Sequence, residues 1–258
     1  MAFVVVPTPI GNLEDITLRA LRILSEADLV ACEDTRRTGR LLAHHGIKNT
    51  LVAYHEHSEE RLAPELTERA RAEKVALVSD PGYRLLVACI EAGVDVEVLP
   101  GPSAPITALV ASGLPAETVV FRGFLPRKGR ERTNLLARIR EEPSTFVLFE
   151  SPRRLAKTLG ELPAEAPVAV CRELTKLHEE VFRGTAGEAA QHFSEGTKDE
   201  IVLVVRGGTA AGPGDVEDAV ALARGYVAEG ESPSRAAAQA AKESGRRRSE
   251  IYDRLVSS

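Results

Sequence analysis

The sequence predicts an α/β protein with a mostly parallel amino-terminal sheet, a mixed second sheet and a small carboxyl-terminal helical appendage. Up to about residue 112, short valine-rich apolar runs alternate with amphipathic helical patterns. From residue 118 onward, predicted strands follow one another more densely. Strand–helix alternation is typical of parallel sheets whose two faces are covered, whereas dense strands favour some antiparallel pairing.

The composition indicates a folded protein with a substantial core. The chain has 258 residues, of which 43% are hydrophobic, and this excludes a disordered protein. No apolar run reaches the ~20 residues of a membrane span, and no signal-peptide pattern is present, so we expect a cytoplasmic location. Three widely spaced cysteines in apolar segments are expected to be buried free thiols.

The first predicted strand leads into an unusually stiff loop. Residues 3–6 are apolar, and Pro7, Pro9 and Gly11 follow. Loops at the carboxyl ends of strands bind ligands in open α/β sheets. This loop has neither the G-x-G-x-x-G nor the G-x-x-x-x-G-K pattern, which argues against the common dinucleotide and nucleotide triphosphate sites. An ordinary strand–turn–helix is the alternative interpretation of this segment.

The first predicted domain, residues 1–117, continues the alternation. Its remaining strands are predicted at 29–32, 51–54, 75–79 and 94–99, and its helices include 18–24, 35–46 and 59–73. The carboxyl ends of parallel strands share one edge of a sheet. We therefore expect the loops at 7–12, 33–37, 80–83 and 100–104 to gather there.

The second predicted domain, residues 118–207, has strands at 119–124, 145–149, 168–171 and 201–205, with helices at 131–141 and 152–162. A Gly-rich linker follows at 207–214. The appendage, 215–258, contains three predicted helices, of which the second begins with Ser232 as cap and Pro233 at its first position. Helices separated by a short Gly turn resemble a helix-turn-helix and indicate RNA contact; a purely dimer-stabilising appendage is the alternative.

Positive charge is clustered although the net charge is −5. One run covers Arg36, Arg37 and Arg40, a second lies within 127–132, and a third covers 246–248. A solvated helix face is the ordinary explanation of such a run, but three runs on an acidic chain favour a phosphate-bearing partner.

Charged residues also follow three of the predicted strands directly. Acidic residues suit a helix start, which explains Glu33 and Asp34. Arg172 and Lys176 have the wrong sign for that position and suit an anionic ligand better. Four histidines lie between residues 44 and 57, but their spacings match no recognised zinc motif. We therefore expect exposed histidines and no metal site.

Several segments together resemble the ribosomal RNA small subunit methyltransferase I family of tetrapyrrole-methylase-like enzymes: PTPIGNLEDITLRAL, EDTRRTGRLL, LPGPSAPITAL, GFLPRKG, FESPRRL and RELTKLHEE. The resemblance covers nearly the whole chain. It implies a two-domain tetrapyrrole-methylase-like fold, S-adenosylmethionine bound in an interdomain cleft, and a homodimer. The implied reaction is methylation of a cytidine ribose 2′-hydroxyl in the decoding region of 16S rRNA, within the small ribosomal subunit.

The resemblance also implies site residues. Pro9, Gly11, Ser103 and Ala104 match positions that line the cofactor by backbone contact, and Asp80 matches an aspartate of the same pattern. The loop that contains Asp80 is shorter here than in the family. This shortening is the one feature that favours an alternative, an RNA-binding protein with an impaired cofactor site. A methyltransferase acting on a small tetrapyrrole-like molecule is the other alternative.

The expected chemistry needs few groups. A sulfonium methyl donor is already activated, whereas a ribose hydroxyl benefits from a base, or from a cation that stabilises the alkoxide. Glu173 and Lys176 could fill these roles if their segment is helical, with Asp34 as the alternative base; a structural ion pair is the ordinary explanation. The side chains expected to bind RNA phosphates are Arg36, Arg37, Lys128, Arg130, Arg153, Arg154, Arg172, Arg246 and Arg247.

Overall fold

The computed structural model describes residues 2–78, 83–198, 200–208, 216–244 and 248–256. The chain forms two compact units. Unit 1 contains the residues up to Thr107 together with Glu173–Glu179, and unit 2 contains Ala108–Arg172 and the residues from Glu180 onward. The predicted domain limits at 117, 207 and 215 stay a prediction, since compactness alone does not define domains.

Unit 1 is built on a five-stranded sheet in the order β3-β2-β4-β1-β5. All neighbouring strands in it are parallel, which confirms the predicted sheet type. Every predicted strand of the first domain is present, with small differences at the ends. The strands are β1 (Phe3–Val5), β2 (Leu29–Cys32), β3 (Leu51–Ala53), β4 (Val75–Val78) and β5 (Val96–Val98).

Helices cover both faces of this sheet, and a separate apolar cluster fills each face. The Thr17 hydroxyl caps the first helix by accepting from the amide of Ala20. The second ends beside Gly46, whose φ of 68° is the left-handed conformation that favours glycine. These helices are α1 (Leu18–Glu26), α2 (Thr35–His44), α3 (Glu59–Ala72) and α4 (Tyr83–Glu91). The next helix, α5 (Ala104–Ser112), begins in unit 1 and continues into unit 2.

Unit 2 contains a second five-stranded sheet, in the order β6-β7-β10-β8-β9. β6 and β7 are parallel and the other pairs are antiparallel, which confirms the predicted mixed sheet. Four of its strands were predicted, and β9 was not. The strands are β6 (Val119–Phe124), β7 (Thr145–Glu150), β8 (Pro167–Arg172), β9 (Glu180–Thr185) and β10 (Ile201–Arg206).

Three helices pack with this sheet: α6 (Arg130–Glu141), α7 (Leu155–Gly160) and α8 (Ala186–His192). α7 is shorter than predicted, because residues 152–154 form a turn instead of helix. α8 was not predicted and begins with a complete capping box between Thr185 and Glu188.

The appendage forms α9 (Val216–Ala228), α10 (Pro233–Ser244) and α11 (Arg248–Val256). These helices share an apolar cluster drawn entirely from their own residues, including Ala223, Ala237 and Ile251. The predicted Gly turn between the last two helices, residues 245–247, lies outside the described residues. Within the described ranges, no helix combines the length and apolar character needed to cross a membrane. The three cysteines are free and buried, as expected.

Candidate functional site

The sheet order of unit 1 brings the predicted loops to one edge. β4, β1 and β5 are neighbours, and β2 adjoins β4 on the other side. Since all these strands are parallel, the loops that follow β1, β2 and β5 leave the sheet at the same edge. Pro9, Gly11, Asp34 and Ser103 therefore all lie at the carboxyl edge of this sheet. Asp80, which follows β4, lies outside the described residues.

The loops after β1 and β5 approach each other closely. A Cβ atom on Gly101 would meet Cβ and Cγ of Pro7, so any side chain at this position would collide with the proline ring. Ser103 and Ala104 follow at the start of α5 and are half-buried. The main chain of both loops is consequently held in place by close packing.

The turn formed by residues 173–179 packs against the loop after β1. A Cβ atom on Gly11 would lie 2.6 Å from Oγ1 of Thr175 and 2.7 Å from the carbonyl oxygen of Leu174. The amide of Asn12 donates a hydrogen bond of 3.1 Å to the same Thr175 hydroxyl. Both segments belong to unit 1, so the turn at 173–179 and the proline-containing loop pack together within one unit.

The turn itself has a strained backbone. Glu173 and Thr175 have φ angles of 52° and 65°, in the left-handed region that a β-branched residue rarely adopts. Such conformations cost of order 1–3 kcal/mol each and are concentrated at functional sites. The turn is held by hydrogen bonds from the amide of Lys176 to the carbonyl of Glu173, 2.9 Å, and from the amide of Thr175 to the Glu179 carboxylate.

The segment 173–176 forms a turn and not the helix on which the two predicted catalytic roles were conditional, but the turn still brings the two side chains together. Nζ of Lys176 lies 2.6 Å from Oε1 of Glu173. The Glu173 side chain is 14% exposed and that of Lys176 is 28% exposed. The turn therefore presents a carboxylate and an ammonium group side by side, both partly accessible.

Asp34 performs a structural task at the start of α2. Its Oδ1 atom accepts hydrogen bonds from the amides of Arg36, at 2.8 Å, and Arg37, at 3.3 Å. These two hydrogen bonds hold the pKa of Asp34 below its usual value. A carboxylate with a lowered pKa is a weaker base, so the structure favours a capping role for Asp34.

The predicted RNA-binding residues fall into two groups. The side chains of one group are exposed. Arg36, for example, is 91% exposed and only loosely paired with Asp34, at 3.6 Å. The other members of this group are Arg37, Lys128, Arg130 and Arg153.

Arg154 and Arg172 are already bound to carboxylates. Nη2 of Arg154 lies 2.5 Å from Oε1 of Glu150, whose side chain is fully buried. Arg172 is 3.0 Å from Glu180. A hydrogen bond from His192, together with Arg172, lowers the pKa of Glu180. Arg246 and Arg247 lie outside the described residues.

The histidines between residues 44 and 57 are less exposed than expected. Nε2 of His45 lies 3.1 Å from the carbonyl oxygen of Leu13, and Nδ1 of His55 is buried. Two of the four side chains are therefore half-buried, because they pack against the protein. Within the described part of the chain, no group of three or more His, Cys, Asp or Glu residues is arranged to hold a metal ion.

The contact between Asn12 and Thr175 was not foreseen. These residues are separated by 163 positions in the chain, so no local pattern connects them. The charge pattern indicates Glu173 and Lys176. Thr175, whose hydroxyl joins their turn to the β1 loop, is uncharged, so the same pattern does not indicate it.

The class of protein, the tetrapyrrole methylases, follows from a family model that covers most of the chain. The profile of the "Tetrapyrrole (Corrin/Porphyrin) Methylases" matches residues 2–190. The fold is shared with the cobalamin biosynthetic enzyme cobalt precorrin-4 methyltransferase, with a TM-score of 0.60, 21% identity, and coverage of 79% of this chain and 94% of that one. Diphthine synthase has a TM-score of 0.64, 15% identity, and coverage of 80% and 90%.

Within that class, the chain belongs to the ribosomal RNA small subunit methyltransferase I family. The relative from Mesorhizobium japonicum is 44% identical over 99% of this chain and 91% of its own length. The relative from Synechocystis sp. is 41% identical over 96% and 94%. The relative from Thermotoga maritima is 44% identical over 79% and 97%. The protein is therefore a methyltransferase of the tetrapyrrole methylase type.

Proposed function

We propose that this protein transfers a methyl group from S-adenosylmethionine to the ribose 2′-hydroxyl of a cytidine in the decoding region of 16S rRNA. The names of the relatives from M. japonicum and Synechocystis sp. support rRNA of the small subunit as the substrate. The observation that carries the proposal is the Glu173–Lys176 pair, presented by a strained turn that packs directly on the β1 loop. We further propose that it acts in the cytoplasm as a homodimer.

The residues around this turn suit the cofactor. Pro9 can contribute a backbone carbonyl, and Gly11, Ser103 and Ala104 can contribute both amides and carbonyls, which can pair with the polar edges of an adenosine and of an amino acid. The close contact between Gly101 and Pro7 fixes the two loops before any ligand binds, which lowers the cost of ordering them. We propose that these four residues bind S-adenosylmethionine, with Asp80 as a further contact. When bound, the cofactor supplies an already activated methyl group.

The chain then has to align and deprotonate the ribose hydroxyl. We assign Glu173 as the base that accepts the hydroxyl proton, and Lys176 as the cation that stabilises the negative charge developing on the oxygen. The hydrogen bond between Asn12 and Thr175 keeps this pair at a fixed position beside the proposed cofactor loop. Such alignment is the main contribution an enzyme can make when the methyl group is already activated.

Positive charge would hold the RNA in place. We propose that the exposed residues Arg36, Arg37, Lys128, Arg130 and Arg153 bind phosphates, as do Arg246 and Arg247 in the appendage. Such contacts position an RNA without selecting its sequence. Arg154 and Arg172 are weaker candidates, because each already binds a carboxylate. In this proposal residues 1–117 form the domain with the cofactor loops, residues 118–207 form the second α/β domain, and residues 215–258 contact RNA.

The direct test is methyl transfer from radiolabelled S-adenosylmethionine to small ribosomal subunits that lack this modification. We expect the label in 16S rRNA and, after nuclease digestion, in 2′-O-methylcytidine. A label in a base-methylated nucleoside would contradict the 2′-hydroxyl assignment. Transfer to a tetrapyrrole but not to RNA would support the small-molecule alternative. If calorimetry detects no binding of S-adenosylmethionine, the alternative of an RNA-binding protein with an impaired cofactor site is favoured.

A further inference from the structure

A basic concave feature lies in unit 2, whereas Glu173 and Lys176, the residues assigned to methyl transfer, belong to unit 1. A hollow of about 290 Å³ is lined by α6, by α7 and by the loop before α6. Its lining includes one carboxylate and five cationic side chains. The charged residues are Arg127, Lys128, Arg132, Arg140, Lys157 and Glu161. We call this feature the α6–α7 hollow.

The floor of the α6–α7 hollow is rigid. The Arg132 side chain is 9% exposed, and its Nη2 atom lies 2.7 Å from Oε2 of Glu161. The same guanidinium donates to Oγ1 of Thr158, at 3.0 Å, and to the carbonyl oxygen of Pro126, at 2.9 Å. Arg132 and Glu161 therefore neutralise each other and connect α6, α7 and the preceding loop.

The remaining cations are not neutralised in the same way. Arg140 donates to the carbonyl oxygen of Glu161, at 2.7 Å, so its position is fixed while its charge is retained. Nζ of Lys157 lies 3.9 Å from Oε1 of Glu161, too far for a hydrogen bond, and the side chain is 74% exposed. Arg127 and Lys128 are exposed at the rim. Glu161 neutralises Arg132, so the other four cations leave a net positive charge around this small concave surface.

We propose that the α6–α7 hollow binds the phosphodiester backbone of an RNA. Arginine and lysine are the side chains that recognise phosphate oxygens, and a fixed arginine beside exposed lysines suits a ligand with neighbouring phosphates. The hollow is lined by no aromatic side chain among the described residues, which argues for backbone contact and against base stacking. That the anion is RNA rests on the proposed function; that the hollow binds a phosphate rests on its charges alone.

The test is RNA binding by the full chain in the absence of S-adenosylmethionine, so that its outcome does not depend on methyl transfer. Anisotropy of a fluorescent single-stranded RNA is followed over a range of KCl concentrations for the unmodified protein and for Lys128→Ala/Lys157→Ala. Each lost phosphate contact should reduce the slope of log K against log salt by about 0.7, hence about 1.4 for two. At about 0.15 M salt the affinity should fall roughly tenfold, and the two proteins should converge near 1 M.

A matched control is Lys48→Ala/Arg61→Ala, which removes two exposed cations that do not line the hollow. We expect this control to keep the original salt slope. An unchanged slope in Lys128→Ala/Lys157→Ala, or an equal loss in the control, would overturn the proposal. Calorimetry with sodium pyrophosphate provides a second readout. If pyrophosphate binding depends on Lys128 and Lys157 while RNA binding does not, the hollow is a free-anion site and its assignment to RNA is wrong.

Discussion

At the scale of single residues, Gly11 is required for space rather than for an unusual backbone angle. Replacing Gly11 with Ala would place a methyl group within 2.6 Å of Oγ1 of Thr175, and the turn at 173–179 would have to move. A displacement of about 1 Å at a reacting centre can reduce a rate roughly 100-fold. We therefore expect kcat/KM for methyl transfer to fall by about that factor, as measured with radiolabelled S-adenosylmethionine.

The matched control for this substitution is Gly39→Ala. Gly39 lies inside α2, and a Cβ atom there would be 3.7 Å from Leu51, an ordinary contact. The control should keep full activity and gain about 0.5–1 kcal/mol of stability, because alanine is the better helix former. If Gly11→Ala transfers methyl groups as fast as the control, the position of the turn does not matter for catalysis.

Replacing each carboxylate with its amide distinguishes Glu173 from Asp34 as the base. Glu173→Gln keeps the shape of the side chain but cannot accept a proton, so we expect kcat to fall by about 10²–10⁴-fold. Asp34→Asn keeps an oxygen that can cap α2 and should leave kcat nearly unchanged. The pH dependence of kcat should lose its acidic limb only in Glu173→Gln. The opposite result, with Asp34→Asn inactive, would identify Asp34 as the base.

The sequence indicated which residues carry charge but not which of them are already paired. Glu173 and Lys176 were identified because charges directly follow a strand. The same pattern selected Arg154 and Arg172, and the structure pairs these with Glu150 and Glu180. Glu180 lies on the neighbouring strand β9, which was not predicted, so its pairing with Arg172 could not be predicted. Glu150 is only four residues before Arg154, but their ion pair depends on the turn at 152–154, where a helix was expected.

At the scale of elements, strand–helix alternation predicted the parallel sheet, while β9 and α8 were missed. The sequence of β9 (Glu180–Thr185), EVFRGT, lacks the clear apolar–polar alternation that identifies a strand, and most of its residues are half-buried in the structure. α8 is short and contains Gly187. One signal was available, because Thr185 and Glu188 have the T-x-x-E spacing of a capping box.

The capping box of α8 makes stability depend on pH. The Glu188 carboxylate accepts from the amide and the hydroxyl of Thr185, and these hydrogen bonds lower the pKa of Glu188. Its stabilising effect is therefore present above the carboxyl's unfolded pKa of about 4.3, and is lost as the pH falls through the lower pKa of the folded state. Glu188→Gln should reduce the free energy of unfolding at pH 7, with a smaller reduction at pH 3.

Urea denaturation at the two pH values measures this change in the Glu188→Gln variant. Glu195→Gln, which removes an exposed carboxylate from the segment after α8, is the matched control for the change in net charge. A difference from the unmodified protein that is equal at both pH values would show that the carboxylate does not stabilise the helix start through its charge.

At the scale of the whole molecule, the chain path explains how the turn at 173–179 comes to pack against the β1 loop. The chain leaves unit 2 after Arg172, contributes Glu173–Glu179 to unit 1, and returns to unit 2 at Glu180. The proposed catalytic pair thus belongs to the same unit as the β1 loop although it follows the eighth strand. A linear division at residue 117 places these residues in separate domains.

The appendage offers the last test. Its apolar cluster is drawn only from α9, α10 and α11, so a chain that ends at residue 208 retains both sheets and the three apolar clusters packed on them. If residues 215–258 contact RNA, this shortened protein should bind S-adenosylmethionine as before, while methyl transfer to small ribosomal subunits falls at least about tenfold, the effect of losing one or two phosphate contacts. Calorimetry and radiolabel transfer measure the two quantities, and light scattering gives the mass in solution. Unchanged transfer together with loss of a dimer would assign the appendage to dimer stabilisation and remove it from the RNA-binding surface.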